Sequence, residues 1–215
     1  MKFVLILMAV SSAWAQVASQ ANTGYRTPEG RQNVAKNLAG SDRDGRQKPK
    51  ELIAALDLKP GMTVVDLGTG VGYMLPYLSA AVGPTGRVIA ADIFEDFLTQ
   101  AKATAARNNL TNVEFILGND KDPNLPPGEV DLVLTLDAYH HFDFPDKTVG
   151  VVSRALRAGG KFVVVDFYKN GFRDPKHIRL DQADVIREVE GFGYTLASKS
   201  DHLPGTQYIA IFTKK

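Results

Sequence analysis

The sequence predicts an α/β protein with a doubly wound sheet of seven strands, mostly parallel, and helices on both faces. Three observations lead to this prediction. Seven short apolar runs alternate with helical segments, which is typical of parallel strands joined by helical crossovers. A glycine-rich turn joins the first run to the helix that follows it. The last two runs are separated by only about nine residues, which favours an antiparallel hairpin at the sheet edge.

The regular part of the chain begins at Pro49, which suits the first turn of a helix. Leu52, Ile53 and Leu56 recur on one face of this helix, and the Lys-Pro-Gly sequence at 59–61 ends it. Periodicity then predicts a buried strand at 62–67, a helix at 72–82, a second strand at 87–91 and a helix at 94–108.

The second half of the chain continues this alternation. Strands are expected at 113–117, 130–136 and 161–167, with helices at 147–156 and near 181–190. The two final strands are expected at 194–197 and 207–213. The sequence contains no internal repeat, so we expect one domain.

The N-terminus is typical of a secretory signal peptide over residues 1–15. Lys2 precedes an apolar run at 3–10, and small residues lead to an expected cleavage after Ala15. The run is too short to span a bilayer as a helix, which needs about 20 residues, so no stable membrane anchor is expected. The alternative is that it forms a buried first helix or strand of the domain.

This interpretation divides the chain into three segments and predicts a periplasmic or secreted protein. Residues 1–15 are the signal peptide, and 47–215 form the catalytic-type domain. Residues 16–46 are polar, without a sustained apolar period, and form either a flexible leader or a cap over a site.

Composition excludes several kinds of chemistry. The chain has 215 residues and no cysteine, so thiol nucleophiles, disulfides and thiolate metal sites are absent. It carries 25 Lys and Arg against 24 Asp and Glu, and removal of residues 1–15 leaves a net charge of zero. Because proteins that bind nucleic acid usually carry excess positive charge, no nucleic-acid partner is expected.

The turn after the first predicted strand points to a nucleoside cofactor. Gly68, Gly70 and Gly72 allow a sharp turn and a close approach of ligand to backbone. Asp92 follows the second strand, where a carboxylate can accept hydrogen bonds from ribose hydroxyls. The glycine spacing differs from that of dinucleotide sites, and Asp66 suits a cationic ligand better than a diphosphate. These residues favour S-adenosylmethionine, which carries an amino group and a sulfonium, over NAD.

Five segments resemble, in order, the motif series of class I S-adenosylmethionine-dependent methyltransferases: VVDLGTGVGY, VIAADI, NVEFILGND, VDLVLTLDAYHHF and RALRAGGKFVVVDF. The resemblance covers about residues 47–213. Within that superfamily the chain is similar to small bacterial methyltransferase-domain proteins with Gln-Lys-Pro before the first motif and Tyr-His-His after the fourth strand. It implies a Rossmann-like fold, S-adenosylmethionine as cofactor and methyl transfer, but it does not indicate the acceptor.

The same resemblance implies where the cofactor is held. Its methionine end is expected at the glycine turn, its ribose at Asp92 and its adenine against Ile93, with Asn119 or Asp120 at the adenine amino group. The usual pattern has Asp directly after Gly118, where this chain has Asn119. The expected cofactor contacts are Asp66, Gly68, Thr69, Gly70, Gly72, Asp92, Ile93, Asn119, Asp120 and Asp137.

The acceptor is expected where residues 137–142 leave the fourth strand, because ligands of open α/β sheets bind beyond the carboxyl ends of the strands. A histidine of near-neutral pKa suits the removal of a proton from the acceptor. We therefore expect His140 or His141 to act as base or to position the acceptor, with Tyr139 and Asp137 in support. No metal is expected, because neighbouring side chains point apart on an extended chain.

Two further segments are candidates for the site. The polar loop that carries Arg173 and His177 is expected to border the acceptor pocket. Residues 43–48 are expected to fold over the cofactor as a lid, with Gln47 and Lys48 facing its carboxylate.

The sequence thus predicts a methyltransferase that transfers a methyl group from S-adenosylmethionine to a small-molecule acceptor by in-line displacement. Two alternatives remain open. One is an exported nucleoside-binding protein that keeps the fold without transfer activity, and the other is an NAD-dependent oxidoreductase. The oligomeric state is not predicted.

Overall fold

The computed structural model describes residues 14–215. The first thirteen residues of the predicted signal peptide lie outside the described residues. The expected cleavage point after Ala15 falls within the first helix, α1 (Trp14–Ala21).

A single seven-stranded sheet forms the centre of the molecule, as predicted. Its strands are β1 (Thr63–Leu67), β2 (Arg87–Asp92), β3 (Val113–Leu117), β4 (Val130–Leu136), β5 (Leu156–Phe167), β6 (Tyr194–Leu203) and β7 (Gln207–Lys214). Their spatial order is β3-β2-β1-β4-β5-β7-β6. The first five strands pair in parallel, and β7 pairs antiparallel with both β5 and β6. The predicted hairpin at the sheet edge is therefore confirmed.

Helices cover both faces of the sheet. After α1 come α2 (Pro28–Leu38), α3 (Arg43–Gln47), α4 (Pro49–Leu56), α5 (Leu75–Val82), α6 (Glu95–Arg107), α7 (Pro145–Ala155) and α8 (Gln182–Gly191). Strand alternation explains the two cores. Val64 and Leu132 pack with α4 and α5 on one face, whereas their neighbours Val65 and Val133 pack with α7 and α8 on the other.

Three predicted boundaries differ from the structure by three residues or more. Strand β5 begins at Leu156 rather than at residue 161, so the expected turn before it is part of the strand. Helix α5 begins at Leu75, three residues after the expected start, because Gly72 has a φ of +79° that a helix cannot contain. Strand β6 continues through Leu203 rather than ending at residue 197, so the hairpin link is only three residues long. The part of β6 after residue 197 is largely exposed and polar. It therefore lacks the alternation of apolar and polar residues by which a strand is predicted.

The N-terminal segment, residues 14–47, folds into helices against the rest of the domain. A 3-10 helix at Asn22–Tyr25 links α1 to α2. Ala35 of α2 packs with Val71 and Phe97, and Arg31 forms an ion pair with Asp96 over 2.7 Å. None of these helices was predicted, because most of their side chains are polar. Among residues 14–215, no helix is long and apolar enough to cross a membrane.

Candidate active site

A pocket of about 350 Å³ lies at the carboxyl ends of β1, β2 and β4. This volume is within the range of small-molecule sites. One part of its wall comes from the turns after these strands, and the other from the N-terminal segment. Residues in the wall include Gly68, Thr69, Gly70, Asp92, Ile93, Asn119, Asp120, Asp137 and His141, together with Asn22, Tyr25, Leu38 and Arg43.

The glycine turn after β1 has the tight geometry that its sequence predicts. Gly68 has a φ of +80°, and a Cβ at this position would lie 2.7 Å from the Cβ of Ala138. Only glycine fits there without strain. Asp66 is buried rather than part of the pocket wall, and its Oδ2 accepts a 2.7 Å hydrogen bond from the hydroxyl of Thr69. Gly72 also lies outside the wall, where it packs against Ala101 of α6.

Asp92 is held firmly at the end of β2. Its Oδ2 accepts a 2.9 Å hydrogen bond from the backbone N–H of Gly70, and its Oδ1 accepts one of 3.0 Å from Phe94. Ile93 directly follows β2 and is 44% exposed. Leu117 is the last residue of the neighbouring strand β3 and is 49% exposed. Exposed large apolar side chains beside a buried carboxylate form a surface suited to a nucleoside, with the base on the apolar part.

Asn119 and Asp120 both line the pocket, but their side chains differ in whether they are free to accept a hydrogen bond from a ligand. The Oδ1 of Asn119 accepts hydrogen bonds from the backbone N–H groups of Lys121 and Asp122, at 3.0 and 2.9 Å. This amide oxygen therefore shapes the turn. Asp120 is exposed and is the better acceptor for an amino group at this end of the pocket.

Asp137 occupies a strained position directly after β4. Its φ is +54°, which is uncommon for a residue other than glycine and costs on the order of 1–3 kcal/mol. The side chain amide of Gln207 donates a 2.6 Å hydrogen bond to its Oδ1. Gln47 of α3 in turn donates to Gln207 over 2.8 Å, so this network joins the N-terminal segment to the site.

Two buried carboxyl groups, Asp92 and Asp137, line the pocket, and a third, Asp66, lies behind Thr69 of its wall; each has a raised pKa. Burial raises the pKa of Asp66 and of Asp92 to about 6, against a usual value near 4. Burial, together with the nearby charge of Asp166, raises the pKa of Asp137 to about 7. A cation that entered the pocket would favour the ionised form of all three groups.

Arg43 of α3 is the one residue of the expected lid that lines the pocket. It is buried, its guanidinium carbon lies 3.9 Å from the ring centre of Tyr73, and its charge favours ionisation of Asp66 and Asp137. Gln47 and Lys48 do not face the pocket as expected. Gln47 is buried against Gln207, and Lys48 is exposed. Within the expected lid, the structure therefore brings Arg43 to the pocket wall but not Gln47 or Lys48.

The two candidate catalytic histidines lie in a 3-10 helix, Tyr139–His141. His141 lines the pocket, and its Nδ1 lies 2.7 Å from the Oδ1 of Asn22. His140 is buried outside the pocket wall, with its Nδ1 2.7 Å from the Oδ1 of Asp166. Burial, together with the two neighbouring imidazoles, holds the pKa of His141 well below its usual range, so its ring is neutral at pH 7.

Tyr139 is not brought to the pocket, contrary to the expected catalytic role. It is fully buried between strands and helices, and its hydroxyl donates a 2.7 Å hydrogen bond to Glu188 of α8. Arg173 is exposed and His177 half-buried, and neither lines the pocket. The rings of His140 and His141 do not point apart, because the 3-10 turn brings their centres within 4.1 Å.

This sheet order, with a glycine turn after β1 and a carboxylate after β2, defines the Rossmann-like class I fold of S-adenosylmethionine-dependent methyltransferases. Residues 58–199 match the family described as a methyltransferase domain, and the chain belongs to that family.

A solved structure and two curated proteins illustrate this membership. An S-adenosylmethionine-dependent methyltransferase from Aquifex aeolicus superposes with a TM-score of 0.79 at 25% identity, over 84% of this chain and 96% of the other. An arsenite methyltransferase of Halobacterium salinarum is 29% identical over 74% of this chain and 40% of the relative. A ubiquinone/menaquinone biosynthesis C-methyltransferase of Shewanella halifaxensis is 27% identical over 64% of this chain and 51% of the relative. The chain thus spans about half, or less, of these curated relatives.

S-adenosylmethionine is the cofactor of this family, and the residues of the pocket fit it. The buried carboxyls match a ligand that carries an ammonium, a sulfonium and ribose hydroxyls. The exposed side chain of Ile93 matches an adenine ring, and the buried guanidinium of Arg43 matches a carboxylate.

Proposed function

We propose that this protein is a methyltransferase that transfers the methyl group of S-adenosylmethionine to a small-molecule acceptor. The observation that carries the proposal is that two buried carboxyls, Asp92 and Asp137, line one pocket and a third, Asp66, lies directly behind Thr69 of its wall, each with a pKa raised by burial. Burial disfavours the ionised form of each carboxyl, so the site favours a ligand that brings positive charge.

Each part of the pocket then has one binding task. The backbone of the glycine turn and Thr69, which is bonded to the buried carboxyl of Asp66, hold the amino end, and Arg43 holds the carboxylate of the methionine half. Asp92 accepts hydrogen bonds from the ribose hydroxyls. Ile93 supports one face of the adenine, and Asp120 accepts a hydrogen bond from its amino group.

The remaining wall of the pocket suits the acceptor. When bound, S-adenosylmethionine supplies an electrophilic methyl group, so the protein needs chiefly to align the acceptor and exclude water. Tyr25 of the N-terminal segment packs edge-on against His141, with ring centres 4.7 Å apart, and closes this side. Since the Nδ1 of His141 is bound to Asn22, its Nε2 is the atom that can accept a proton from the acceptor.

The chemistry of the chain narrows the acceptor class. Without cysteine the site has no thiolates with which to bind trivalent arsenic, so arsenite is disfavoured. The balanced charge disfavours nucleic acid. A small organic molecule with a readily ionised oxygen or carbon acid fits best, since the lowered pKa of His141 makes it a base only for an acceptor that loses its proton easily.

Calorimetric titration tests the cofactor assignment. S-adenosylmethionine and S-adenosylhomocysteine should both bind, and NAD should not. Asp92→Asn should weaken binding of both by about 10- to 100-fold, because hydrogen bonds to a charged group contribute about 1.5–3 kcal/mol each. Asp131→Asn is the matched control: Asp131 is also buried, but it bonds the backbone of Thr63 and does not line the pocket.

A transfer assay tests the activity itself. Methyl-labelled cofactor should lose label to at least one member of a panel of phenols, quinols and carbon acids. Tight binding of both sulfur nucleosides without any label transfer would favour a nucleoside-binding protein instead. Binding of NAD alone would contradict the methyltransferase assignment.

We propose in addition that the chain is exported and cleaved after Ala15. The support is the order of Lys2, the apolar run at 3–10 and the small residues before the cleavage point. N-terminal sequencing of the protein recovered from fractionated cells should give Gln16 as the first residue. A cytoplasmic chain that begins at Met1 would contradict the proposal.

A further inference from the structure

Three of the four histidines of the chain lie together at the acceptor side of the domain. His140 and His141 belong to the 3-10 turn after β4, and His177 comes from the loop before α8. The ring centre of His177 lies 5.1 Å from that of His140 and 5.2 Å from that of His141. One ring nitrogen from each residue can be chosen so that all three lie within 4.8 Å of one another.

The hydrogen bonds of His140 leave its Nε2 as a ligand atom. Its Nδ1 lies 2.7 Å from the Oδ1 of Asp166, whose Oδ2 accepts a 3.0 Å bond from the backbone N–H of His140. A carboxylate only accepts, so Nδ1 carries the proton and Nε2 has the lone pair. Carboxylate–histidine pairs of this kind orient most histidine ligands of metal sites.

The same argument applies to His141. The Nδ2 of Asn22 donates to the backbone oxygen of His141 at 3.0 Å and to Asp143 at 3.2 Å. The Oδ1 of Asn22 is therefore the atom that faces His141, and it accepts from Nδ1–H over 2.7 Å. The Nε2 of His141 again has the lone pair.

We infer that His140, His141 and His177 form a binding site for a divalent transition-metal ion of the zinc type, with one coordination position open. Imidazole suits zinc and its neighbours, and three histidines with an open fourth position form an established catalytic zinc geometry. With zinc–nitrogen bonds of about 2.0–2.1 Å, tetrahedral ligands are about 3.4 Å apart. The three imidazoles would therefore have to move closer together when an ion binds, and His177 lies on the loop between β5 and α8.

This site deepens the proposed function and, in its chemical consequence, rests on it. His141 belongs both to the metal cluster and to the pocket wall. With an ion bound, its Nε2 is a ligand and not a base. An ion held there would lower the pKa of an acceptor hydroxyl at its open position, and the proton would leave to water. The favoured acceptor under this inference is an alcohol, phenol or enol.

Metal binding is measured directly on the full-length protein, purified without a polyhistidine tag and dialysed against chelator. Titration with Zn²⁺ in competition with a chromophoric chelator should give one ion per chain. Co²⁺ should give the visible absorption of a four-coordinate site, and this absorption should disappear when Zn²⁺ is added.

Two variants and one control locate the ion. His177→Phe removes a ligand but keeps an aromatic ring on Phe172, against which His177 stacks at 5.0 Å. It should lower Zn²⁺ affinity by more than 100-fold. Asp166→Asn should lower it by about 10- to 100-fold, as is typical for loss of a ligand's orienting partner. His202→Gln, the fourth histidine, should bind Zn²⁺ as the wild type does.

Two results would overturn the inference. One is a wild-type protein that binds no stoichiometric Zn²⁺ or Co²⁺, and the other is Zn²⁺ binding that His177→Phe leaves unchanged. Circular dichroism shows whether each variant is folded. If Asp166→Asn is misfolded, His177→Phe alone decides the result. Neither readout uses methyl transfer, so failure of the metal site leaves the methyltransferase proposal standing, and the reverse also holds.

Discussion

The side-chain oxygen of Asn22 accepts a 2.7 Å hydrogen bond from the Nδ1 of His141, a residue 119 positions later in the chain. This bond joins the N-terminal segment to the turn after β4. It selects the tautomer of His141 and holds its ring at the pocket wall. The segment that composition describes as a polar leader is therefore part of the site.

Asn22→Ala should lower kcat by about tenfold while the Kd for S-adenosylmethionine changes by less than about twofold. The reason is that one hydrogen bond of about 1–1.5 kcal/mol no longer orients His141, whereas the carboxyls around the cofactor are untouched. Steady-state kinetics and calorimetry check this pair of outcomes. Thr23→Ala is the control, since within residues 14–215 the exposed hydroxyl of Thr23 bonds only backbone oxygens of the first helix. Equal losses in both variants would mean that the segment acts by general stability.

Cofactor affinity should increase as the pH is raised from 5.5 to 8. Asp66 and Asp92 have pKa values of about 6 and Asp137 of about 7, so all three ionise across this interval and bind a cationic ligand more tightly. Calorimetry at stepped pH measures the effect. Asp137→Asn should remove the step nearest pH 7 and leave the lower one. A Kd that is constant over the interval would show that these carboxyls do not face the ligand.

The stability of the ligand-free protein should change in the opposite direction. The three carboxyls have pKa values of about 6 to 7 in the folded state and about 3.9 in the unfolded chain, so between these values the folded state holds more protons. Their contribution to stability is therefore present at low pH and is lost as the pH rises from about 4 through about 7. Urea denaturation at stepped pH measures it, and Asp137→Asn should flatten the upper part of the curve. A contribution that grew with pH would contradict the assigned pKa shifts.

Arg43→Met should weaken S-adenosylmethionine binding by about tenfold or more. The methionine side chain keeps much of the packing on Tyr73, but it removes the buried charge that faces the carboxylate of the ligand. Arg46→Met is the control, because Arg46 is exposed one turn further along and pairs only with Asp42 among the described residues. Calorimetry separates the two variants. Unchanged affinity in Arg43→Met would assign the ligand carboxylate to another part of the wall.

Gly68→Ala should destabilise the protein by about 2–4 kcal/mol, since a Cβ would both clash with Ala138 and occupy a left-handed backbone position. Urea denaturation with and without cofactor measures the loss. Gly45→Ala is the matched control: Gly45 lies in a helix with open space around it, and its substitution should be neutral or slightly stabilising. A neutral Gly68→Ala would show that the turn can relax.

Much of the fold could be predicted because its signals are local. Strands β3 and β4 were predicted to the residue. Every residue of β4 is buried, and buried parallel strands are largely apolar runs bounded by turns. Strand β3 lies at the sheet edge and is only partly buried, but it is also a short, mostly apolar run. The glycine turn and Asp92 were equally predictable, because one is a short contiguous stretch of backbone and the other lies at a strand end. The choice between Asn119 and Asp120 required the structure. The hydrogen bonds of Asn119 show that its side-chain oxygen is used within the turn, which leaves Asp120 to accept a hydrogen bond from a ligand amino group.

By itself, the sequence determined the seven-stranded class I architecture, the cofactor and the strand ends at which the site lies. Tertiary structure alone decided that Arg43 rather than Lys48 enters the pocket, that Tyr139 belongs to the core, and that His177 joins His140 and His141. The physical reason is distance along the chain. Most of these outcomes depend on contacts between segments far apart in sequence. The pairing of His140 with His141 depends instead on a 3-10 turn, which brings neighbouring side chains together. Neither feature produces a periodic pattern in the sequence.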